Sequence, residues 1–176
     1  MTIVIVDNGK GAQQLASMIR GKTQIVSPSK IPDATGYILS DGDMKFQKEN
    51  TALIEKTTKP VLGIGIGSVF LAMSFGATRH DAVPQKNVKL TIEKRSPITL
   101  DLKKVISVVK NCGHGIEDMP ENFEAVAHSP SYPFEIVQEQ EKPFFGVHFN
   151  PEEGGEGMKI MQNFVSFVDV WARYHK

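Results

Sequence analysis

The strongest constraint on the fold is an apolar strand that runs into a helix through closely spaced glycines. Residues 60–64 read PVLGI, Gly65 follows, and Gly67 comes just before the helical run SVFLAMSF. A strand that turns sharply into a helix between glycines has the geometry of a nucleophile elbow, whose central residue faces a pocket. Here that residue is Gly65, and the helix N-terminus behind it favours negative charge. The segment predicts an α/β fold with a pocket at this turn.

Strand and helix patterns alternate along the first half of the chain, which predicts a mostly parallel sheet with helices on both faces. Predicted strands lie at 2–6, 24–27, 36–40 and 60–64, and predicted helices at 12–19, 46–56 and 68–75. The second half contains short β-type segments at 88–93, 105–109, 123–128, 134–139 and 144–149, and then an amphipathic helix over 157–174. We therefore expect a single α/β domain over residues 1–176, in which antiparallel strands extend the parallel sheet.

Composition excludes several classes of function. The 176 residues carry 20 basic and 20 acidic side chains, a balance that argues against general nucleic-acid binding. No apolar run approaches the roughly 18 residues of a membrane span. The lone cysteine, Cys112, rules out an internal disulfide, argues against a cysteine-based zinc site and fits a reducing compartment. The sequence predicts a cytoplasmic protein without a metal or cofactor.

Two further loops place polar residues at the ends of apolar strands. Ser40-Asp41-Gly42 follows the run GYIL, and Asn150-Pro151-Glu152 follows GVHF. In open parallel sheets, ligands bind beyond the carboxyl ends of the strands. The backbone N–H at Gly42 can turn into such a pocket and serve as an oxyanion donor. We therefore expect both loops to face the pocket at Gly65.

Five segments, taken in this order, resemble the motifs of class I glutamine amidotransferases, and most of all those of GMP synthase amidotransferase subunits. The segments are Asp7-Asn8-Gly9 (family DNGGQ), Leu39-Ser40-Asp41-Gly42 (LSGGP), Gly63 to Val69 (GICLGHQ), Gly113-His114-Gly115 (SHGDxV) and Gly146 to Glu152 (GVQFHPE). The runs MPENFEAVAHS and EKPFFGVHFNPE are also similar to family segments. The likeness spans nearly the whole chain, and it implies a flavodoxin-like central sheet.

The resemblance implies a reaction whose chemical groups this chain lacks. The family cleaves the side-chain amide of glutamine with a Cys–His–Glu triad and passes the ammonia to a synthetase. The matching positions here are Gly65, Asn150 and Glu152. Glycine offers no nucleophile, and asparagine does not titrate near neutrality. The resemblance therefore implies a protein without glutaminase activity, which binds or regulates a synthetase subunit of the ATP-pyrophosphatase type or holds a small molecule in a vestigial pocket.

The pocket positions implied by the resemblance are Gly42, Ile66, Ser68 and Val69, and they also depart from the family pattern. Ser68-Val69 stands where the family has His-Gln, whose glutamine helps to hold the substrate. Asp41 and Asp43 replace a glycine and a proline beside Gly42. We therefore expect weaker glutamine binding and a differently shaped oxyanion loop.

An enzymatic interpretation stays open if other residues replace the triad. Cys112 and His114 are near neighbours in NCGHG, and His148 lies two residues before Asn150. They offer a route to glutamine-dependent GMP synthesis or to a related hydrolysis. The simpler interpretation takes Cys112 as an inert thiol, His148 as a residue packed under the pocket, and Glu152 as a retained scaffold residue.

Two ligand alternatives concern the glycine run and the early aspartates. Gly63, Gly65 and Gly67 suggest a phosphate cradle, but the third glycine of a dinucleotide fingerprint is missing. Asp7, Asp41 and Asp43 all follow strands and suggest a cation site. Aspartates after strands are more often turn or cap residues than cation ligands.

Overall fold

A computed structural model describes residues 1–175, so residue 176 of the expected domain lies outside the described residues. The strands are β1 (Thr2–Val6), β2 (Gly9–Lys10), β3 (Lys22–Val26), β4 (Gly36–Leu39), β5 (Asp41–Gly42), β6 (Val61–Ile64), β7 (Arg79–Asp81), β8 (Gln85–Ile92), β9 (Val105–Lys110), β10 (His114–Ile116), β11 (Phe123–Ser129), β12 (Tyr132–Glu139) and β13 (Phe144–Val147). The helices are α1 (Ala12–Ser17), α2 (Gln47–Lys56), α3 (Ile66–Met73) and α4 (Gly157–Tyr174). Short 3-10 turns occur at Met44–Phe46, Pro97–Thr99 and Pro151–Glu153.

Nine of these strands form one sheet in the order β3-β1-β4-β6-β13-β12-β11-β8-β9. The pairs from β3 to β13 are parallel. The pairs from β13 to β9 are antiparallel. Two separate two-stranded ribbons pair β2 with β5 and β7 with β10. The sheet therefore combines a parallel half with an antiparallel extension, which confirms the predicted fold class.

The central strands of the sheet are buried along their whole length, because apolar residues cover both faces of the sheet. On one face, Ile5 and Ile64 pack in a core with Leu15 of α1 and Phe164 of α4. On the other face, Val4 and Leu39 share a core with α2 and with the apolar residues of α3. The two helix layers fix the ends of the parallel strands, which is where a pocket forms.

Three neighbouring strands bring the predicted pocket loops together. Because β4, β6 and β13 are adjacent and parallel, their carboxyl ends meet at one edge of the sheet. Asp41 follows β4, Gly65 follows β6, and Asn150 follows β13. Strand order thus converts three loops that are distant in sequence into a single site.

The differences from the sequence prediction are local. The ribbon strands β2, β5, β7 and β10 contain two or three residues each, too few to show a periodic pattern. Helix α3 begins at Ile66, two residues earlier than predicted, because Gly65 already turns the chain. Met158, an apolar residue in the first turn of α4, is 46% exposed. Within residues 1–175, no helix is both long and apolar enough to span a membrane.

Candidate active-site pocket

The turn between β6 and α3 is a tight elbow centred on Gly65. This residue has φ 54° and ψ −115°, a backbone conformation that residues other than glycine adopt only with strain. Its N–H donates to the carbonyl of Val147 at 2.9 Å, which ties the elbow to β13. Gly67 allows α3 to approach β4, since a Cβ there would lie 2.8 Å from the carbonyl carbon of Leu39. The glycine run is therefore explained by backbone geometry and close packing.

The carboxylate of Asp41 occupies the space in front of Gly65. Its Oδ1 accepts a hydrogen bond from the backbone N–H of Ile66, the first residue of α3, at 2.9 Å. An ideal Cβ built on Gly65 would lie 2.5 Å from Cγ of Asp41. Asp41 is only 3% exposed. A side chain at position 65 and the present side chain of Asp41 therefore exclude each other.

Asn150 closes the other side of the elbow and is fully buried. Its Oδ1 accepts a hydrogen bond from the backbone N–H of Asn111 at 2.7 Å, which leaves its Nδ2 as the donor facing the elbow. Nδ2 donates to Oδ2 of Asp41 at 3.1 Å and to Oε1 of Glu152 at 3.3 Å. One amide group thus bridges two carboxyl groups.

Glu152 lies on the 3-10 turn after Asn150 and is partly buried. Burial raises the pKa of its carboxyl to about 7, and the nearby Asp41 adds to this increase, whereas the amide of Asn150 acts against it. Its Oε2 is buried and has no hydrogen-bond partner among the described residues. Glu152 therefore changes its protonation near neutral pH.

A lysine completes the group that we call the elbow cluster: Lys10, Asp41, Asn150, Glu152 and the N–H of Ile66. Nζ of Lys10 lies 3.6 Å from Oδ2 of Asp41 and also donates to the carbonyl oxygen of Asn111. Lys10 and Asp41 are opposite each other in the β2–β5 ribbon. Sequence reasoning missed the roles of Lys10 and Asp41. A signal was present, because Asp41 gains a side chain opposite Gly65, where the family side chain is lost.

The alternative catalytic residues do not form a thiol–imidazole pair at the elbow. Sγ of Cys112 donates to the backbone carbonyl of His148 at 3.2 Å, and burial raises the pKa of this thiol to about 12. The ring of His148 is fully buried and lies 3.3 Å from Oγ of Ser68. Burial lowers the pKa of His148 to about 3. Both groups are therefore held in their neutral forms.

Cys112 and His148 belong to a second polar group, which we call the rear cluster: Lys110, Cys112, Tyr132, Glu135 and His148. Nζ of Lys110 lies 2.8 Å from Oε1 of Glu135 and 4.2 Å from the centre of the Tyr132 ring. Glu135 is fully buried, and burial raises the pKa of its carboxyl although the ammonium of Lys110 opposes this change. The cluster is a buried ion pair in which the ring of Tyr132 lies beside Lys110 and the hydroxyl of Ser129 donates to Glu135.

An open cleft of about 810 Å³ lies over the β2–β5 ribbon. Its walls are formed by Asp7, Asn8, Gly9, Lys10, Gly42, Asp43, Met44, Lys45, Phe46 and His114. Of the predicted pocket residues, only Gly42 lines this cleft, because Ile66 and Val69 are in the core and Ser68 points to His148. His114, predicted as an alternative catalytic residue, also lines the cleft. His114 Nδ1 lies 2.9 Å from a guanidinium nitrogen of Arg79. The cleft and the buried elbow are therefore adjacent but separate spaces.

The three early aspartates do not share a cation site. Oδ1 of Asp7 accepts the N–H of Gly9, and Oδ1 of Asp43 accepts the N–H of Lys45. These are turn and cap contacts, and Asp41 points to the elbow instead. Within residues 1–175, no group of three or more His, Cys, Asp or Glu side chains is arranged to hold a metal ion.

Comparison with known proteins identifies the family of the chain. The family model of class I glutamine amidotransferases matches residues 4–167. The chain belongs to this family. This finding confirms the resemblance that the sequence motifs indicated.

The relatives of this amidotransferase chain include archaeal GMP synthase subunits. It is 30% identical to a glutamine-hydrolysing GMP synthase subunit of Pyrococcus abyssi, over 92% of this chain and 96% of the relative. It is 28% identical to the corresponding subunit of Methanocaldococcus jannaschii, over 92% of this chain and 95% of the relative. A solved structure assigned to a GMP synthase subunit of Thermoplasma acidophilum superimposes with a TM-score of 0.90. That comparison, at 24% identity over 99% of this chain and 96% of the other, shows a shared fold.

Proposed function

We propose that this amidotransferase domain does not hydrolyse glutamine and acts by binding, as a regulatory or scaffolding partner of an ATP-pyrophosphatase-type synthetase. The observation that carries the proposal is the environment of Gly65. It faces a carboxylate and a fixed carboxamide, where amide hydrolysis by this family requires a thiolate and an imidazole. The cytoplasmic location inferred from the sequence stays a prediction.

The chemistry of the family reaction explains why these two positions matter together. The nucleophile must attack the amide carbon, and a titrating base must take its proton and return it to the leaving ammonia. Asn150 already uses its oxygen and its NH₂ group in hydrogen bonds, and it has no proton to exchange near neutrality. Loss of the nucleophile alone costs about 10⁶-fold in a comparable triad. With such a loss in rate, the chain would release almost no ammonia from glutamine.

The enzymatic alternative depends on Cys112 or His148, and their surroundings oppose it. A thiol with a pKa of about 12 is almost entirely un-ionised at neutral pH, and only the thiolate is an effective nucleophile. An imidazole with a pKa of about 3 is a weak base. Neither residue lines the cleft. The binding role therefore has better support than an alternative hydrolysis.

The relatives support a synthetase partner. Those that cover the chain most completely are named as single subunits of GMP synthases, a name that implies at least one further subunit. We infer that this chain keeps the docking surface of such a protein and that its cleft holds a small molecule. Synthetase binding without ammonia delivery would make the chain a regulator of the ammonia supply to its partner.

Ammonia release from glutamine tests the proposal. The purified chain is assayed alone and with the synthetase encoded by the same genome, beside an active GMP synthase relative as the positive control. The expected result is no ammonia above the buffer rate in either case, together with a stable complex in analytical ultracentrifugation. Glutamine turnover that scales with the chain and is abolished by Cys112→Ala would establish the enzymatic alternative. Absence of a complex would contradict the partner assignment while leaving the inactivity intact.

A further inference from the structure

The first turn of α3 is an anion-binding position whose occupant belongs to the chain itself. The N–H groups of a helix's first turn have no partner within the helix, and they carry partial positive charge. The N–H of Ile66 donates to Oδ1 of Asp41 at 2.9 Å. The carboxylate therefore lies where the helix N-terminus stabilises negative charge.

Two more donors converge on the same carboxylate from other parts of the chain. Nδ2 of Asn150 donates to Oδ2 of Asp41 at 3.1 Å, and Nζ of Lys10 lies 3.6 Å from that oxygen. Asn150 is fully buried and Asp41 is 3% exposed, so the contact between them is made away from bulk water, whereas the side chain of Lys10 is 37% exposed. Hydrogen bonds to an ionised acceptor are about twice as strong as neutral ones. A backbone amide, a carboxamide and an ammonium together form a carboxylate-binding site.

We propose that Asp41 is an intramolecular ligand of this site, and that removing its carboxylate opens a pocket for a small external carboxylate such as formate or acetate. The backbone around Asp41 is held independently of its side chain, because Lys10 and Asp41 pair across the β2–β5 ribbon. The three donors lie on separate elements that remain when the side chain is shortened. The vacated space therefore has the size and polarity of a carboxylate group.

The present occupant has a consequence for ligands of the neighbouring cleft. An external carboxylate or a developing oxyanion would have to enter a position that already holds a negative charge. Two like charges that share one buried position repel each other strongly. The elbow of the protein is therefore closed to anions, and any ligand of the 810 Å³ cleft lies outside the elbow.

Thermal unfolding in formate tests the inference with Asp41→Ala. Formate is titrated against sodium chloride of equal ionic strength, with the unmodified chain and Asp118→Ala as controls. Asp118 is a fitting control, since its carboxylate is exposed, accepts the backbone N–H of Thr78 and lies outside the cleft. Asp41→Ala is expected to show a saturable rise in Tm of roughly 2–4 °C, and neither control should show one. Equal responses in all three proteins, or no saturable response in Asp41→Ala, would overturn the proposal.

An isosteric variant keeps the inference testable if Asp41→Ala does not fold. Asp41→Asn preserves the volume and removes the charge, so it should remain folded and should not bind formate. In ¹H–¹⁵N spectra, the backbone amide of Ile66 and the side-chain amide of Asn150 are expected to shift upfield in the proton dimension, because a neutral acceptor is weaker. Unchanged resonances for both groups would show that Asp41 does not occupy the site in solution.

Discussion

The elbow cluster and the rear cluster differ in what holds their charges. In the rear cluster, the side chains of Lys110 and Glu135 are 5% and 0% exposed, and Oε1 of Glu135 accepts hydrogen bonds from Nζ of Lys110 and from the hydroxyl of Ser129. In the elbow cluster, the carboxylate of Asp41 is held by a helix N-terminus, a carboxamide and a half-exposed lysine. The rear cluster is an ion pair inside the core, and the elbow cluster is a binding site with its own occupant.

The comparison also separates the protein's thiol and buried imidazole from the elbow. Cys112 and His148 lie in the rear cluster, where burial shifts the pKa of each toward its neutral form. The elbow, which offers the helix N-terminus and an adjacent cleft, has Gly65 and Asn150 instead. Reactive side chains and the site that could use them are therefore in different environments.

The largest expected effect is the loss of one partner of the buried ion pair. Lys110→Met leaves the buried carboxyl group of Glu135 without its ammonium partner, so the free energy of unfolding should fall by about 3–5 kcal/mol. The double variant Lys110→Met/Glu135→Leu strands no charge and should lose less. Lys94→Met breaks an exposed pair with Glu124 and should cost about 0–1 kcal/mol. Urea denaturation measures all three, and equal losses for both lysine variants would contradict the assignment of the rear cluster.

The next effect concerns the mutual exclusion of Gly65 and Asp41. Gly65→Ala adds a Cβ that overlaps the Asp41 carboxylate and requires a strained conformation, so it should cost about 2–4 kcal/mol. In an Asp41→Gly background only the strain remains, and the cost should fall by at least about 1 kcal/mol. A double-mutant cycle measured in urea gives this coupling energy directly. Additive effects would mean that the carboxylate does not fill the elbow.

The mutual exclusion of Asp41 and a side chain at position 65 also limits any attempt to restore catalysis by mutation. Gly65→Cys with Asn150→His should stay inactive, since the carboxylate of Asp41 takes the position of the new thiol's Cβ. Asp41→Gly must be added before the thiol can face the cleft. Even then, Ser68 and Val69 supply none of the substrate contacts that the family motif provides. Activity in the variant that retains Asp41 would contradict the described elbow.

Sequence patterns were sufficient for the sheet and for the convergence of the pocket loops. Apolar strands and turn glycines predict β4, β6 and β13, and the parallel order predicts that Asp41, Gly65 and Asn150 meet. These features depend on local periodicity and on a general rule of α/β sheets. These features survive changes in individual side chains, which is why a chain with Gly65 and Asn150 at its elbow still matches the family model.

The contacts inside the pocket were not predictable in the same way. The direction of the Asp41 side chain depends on its pairing with Lys10 in a two-residue ribbon and on the free N–H of Ile66. Neither feature has a sequence period. Ser68 and Val69 were expected to line the pocket, but early helix residues can face either the core or a ligand. The helix begins at Ile66, and this register turns both side chains toward buried neighbours.

Glu152 gives a smaller effect that depends on pH. Its pKa is raised to about 7 from an ordinary 4.5, so between these values the folded chain holds a proton that the unfolded chain releases. Stability from this group therefore falls as the pH rises through that window. Glu152→Gln removes the effect, so its stability relative to the unmodified chain should increase by about 1–3 kcal/mol between pH 4.5 and 7.5.

Urea denaturation at several pH values measures this difference. Glu121→Gln, a change of an exposed carboxyl group that does not act on Glu152, controls for the loss of one negative charge. The buried imidazole of His148 is common to all three proteins, and its contribution cancels in the comparison. A difference between Glu152→Gln and the unmodified chain that stays constant over the window would place Glu152 in solvent rather than beside Asn150.

The smallest effect is expected at Cys112, where the prediction is the absence of chemistry. A thiol pKa of about 12 leaves roughly one molecule in 10⁴ as thiolate at pH 8, and the side chain is 1% exposed. Alkylation by iodoacetamide should therefore require unfolding, and in buffer it should be slower by roughly 10³-fold or more than in guanidinium chloride. Mass spectrometry of the labelled chain measures both rates. Rapid labelling of the folded chain would mean that the rear cluster opens to solvent, and the separation between the thiol and the elbow would then no longer exclude Cys112 from catalysis.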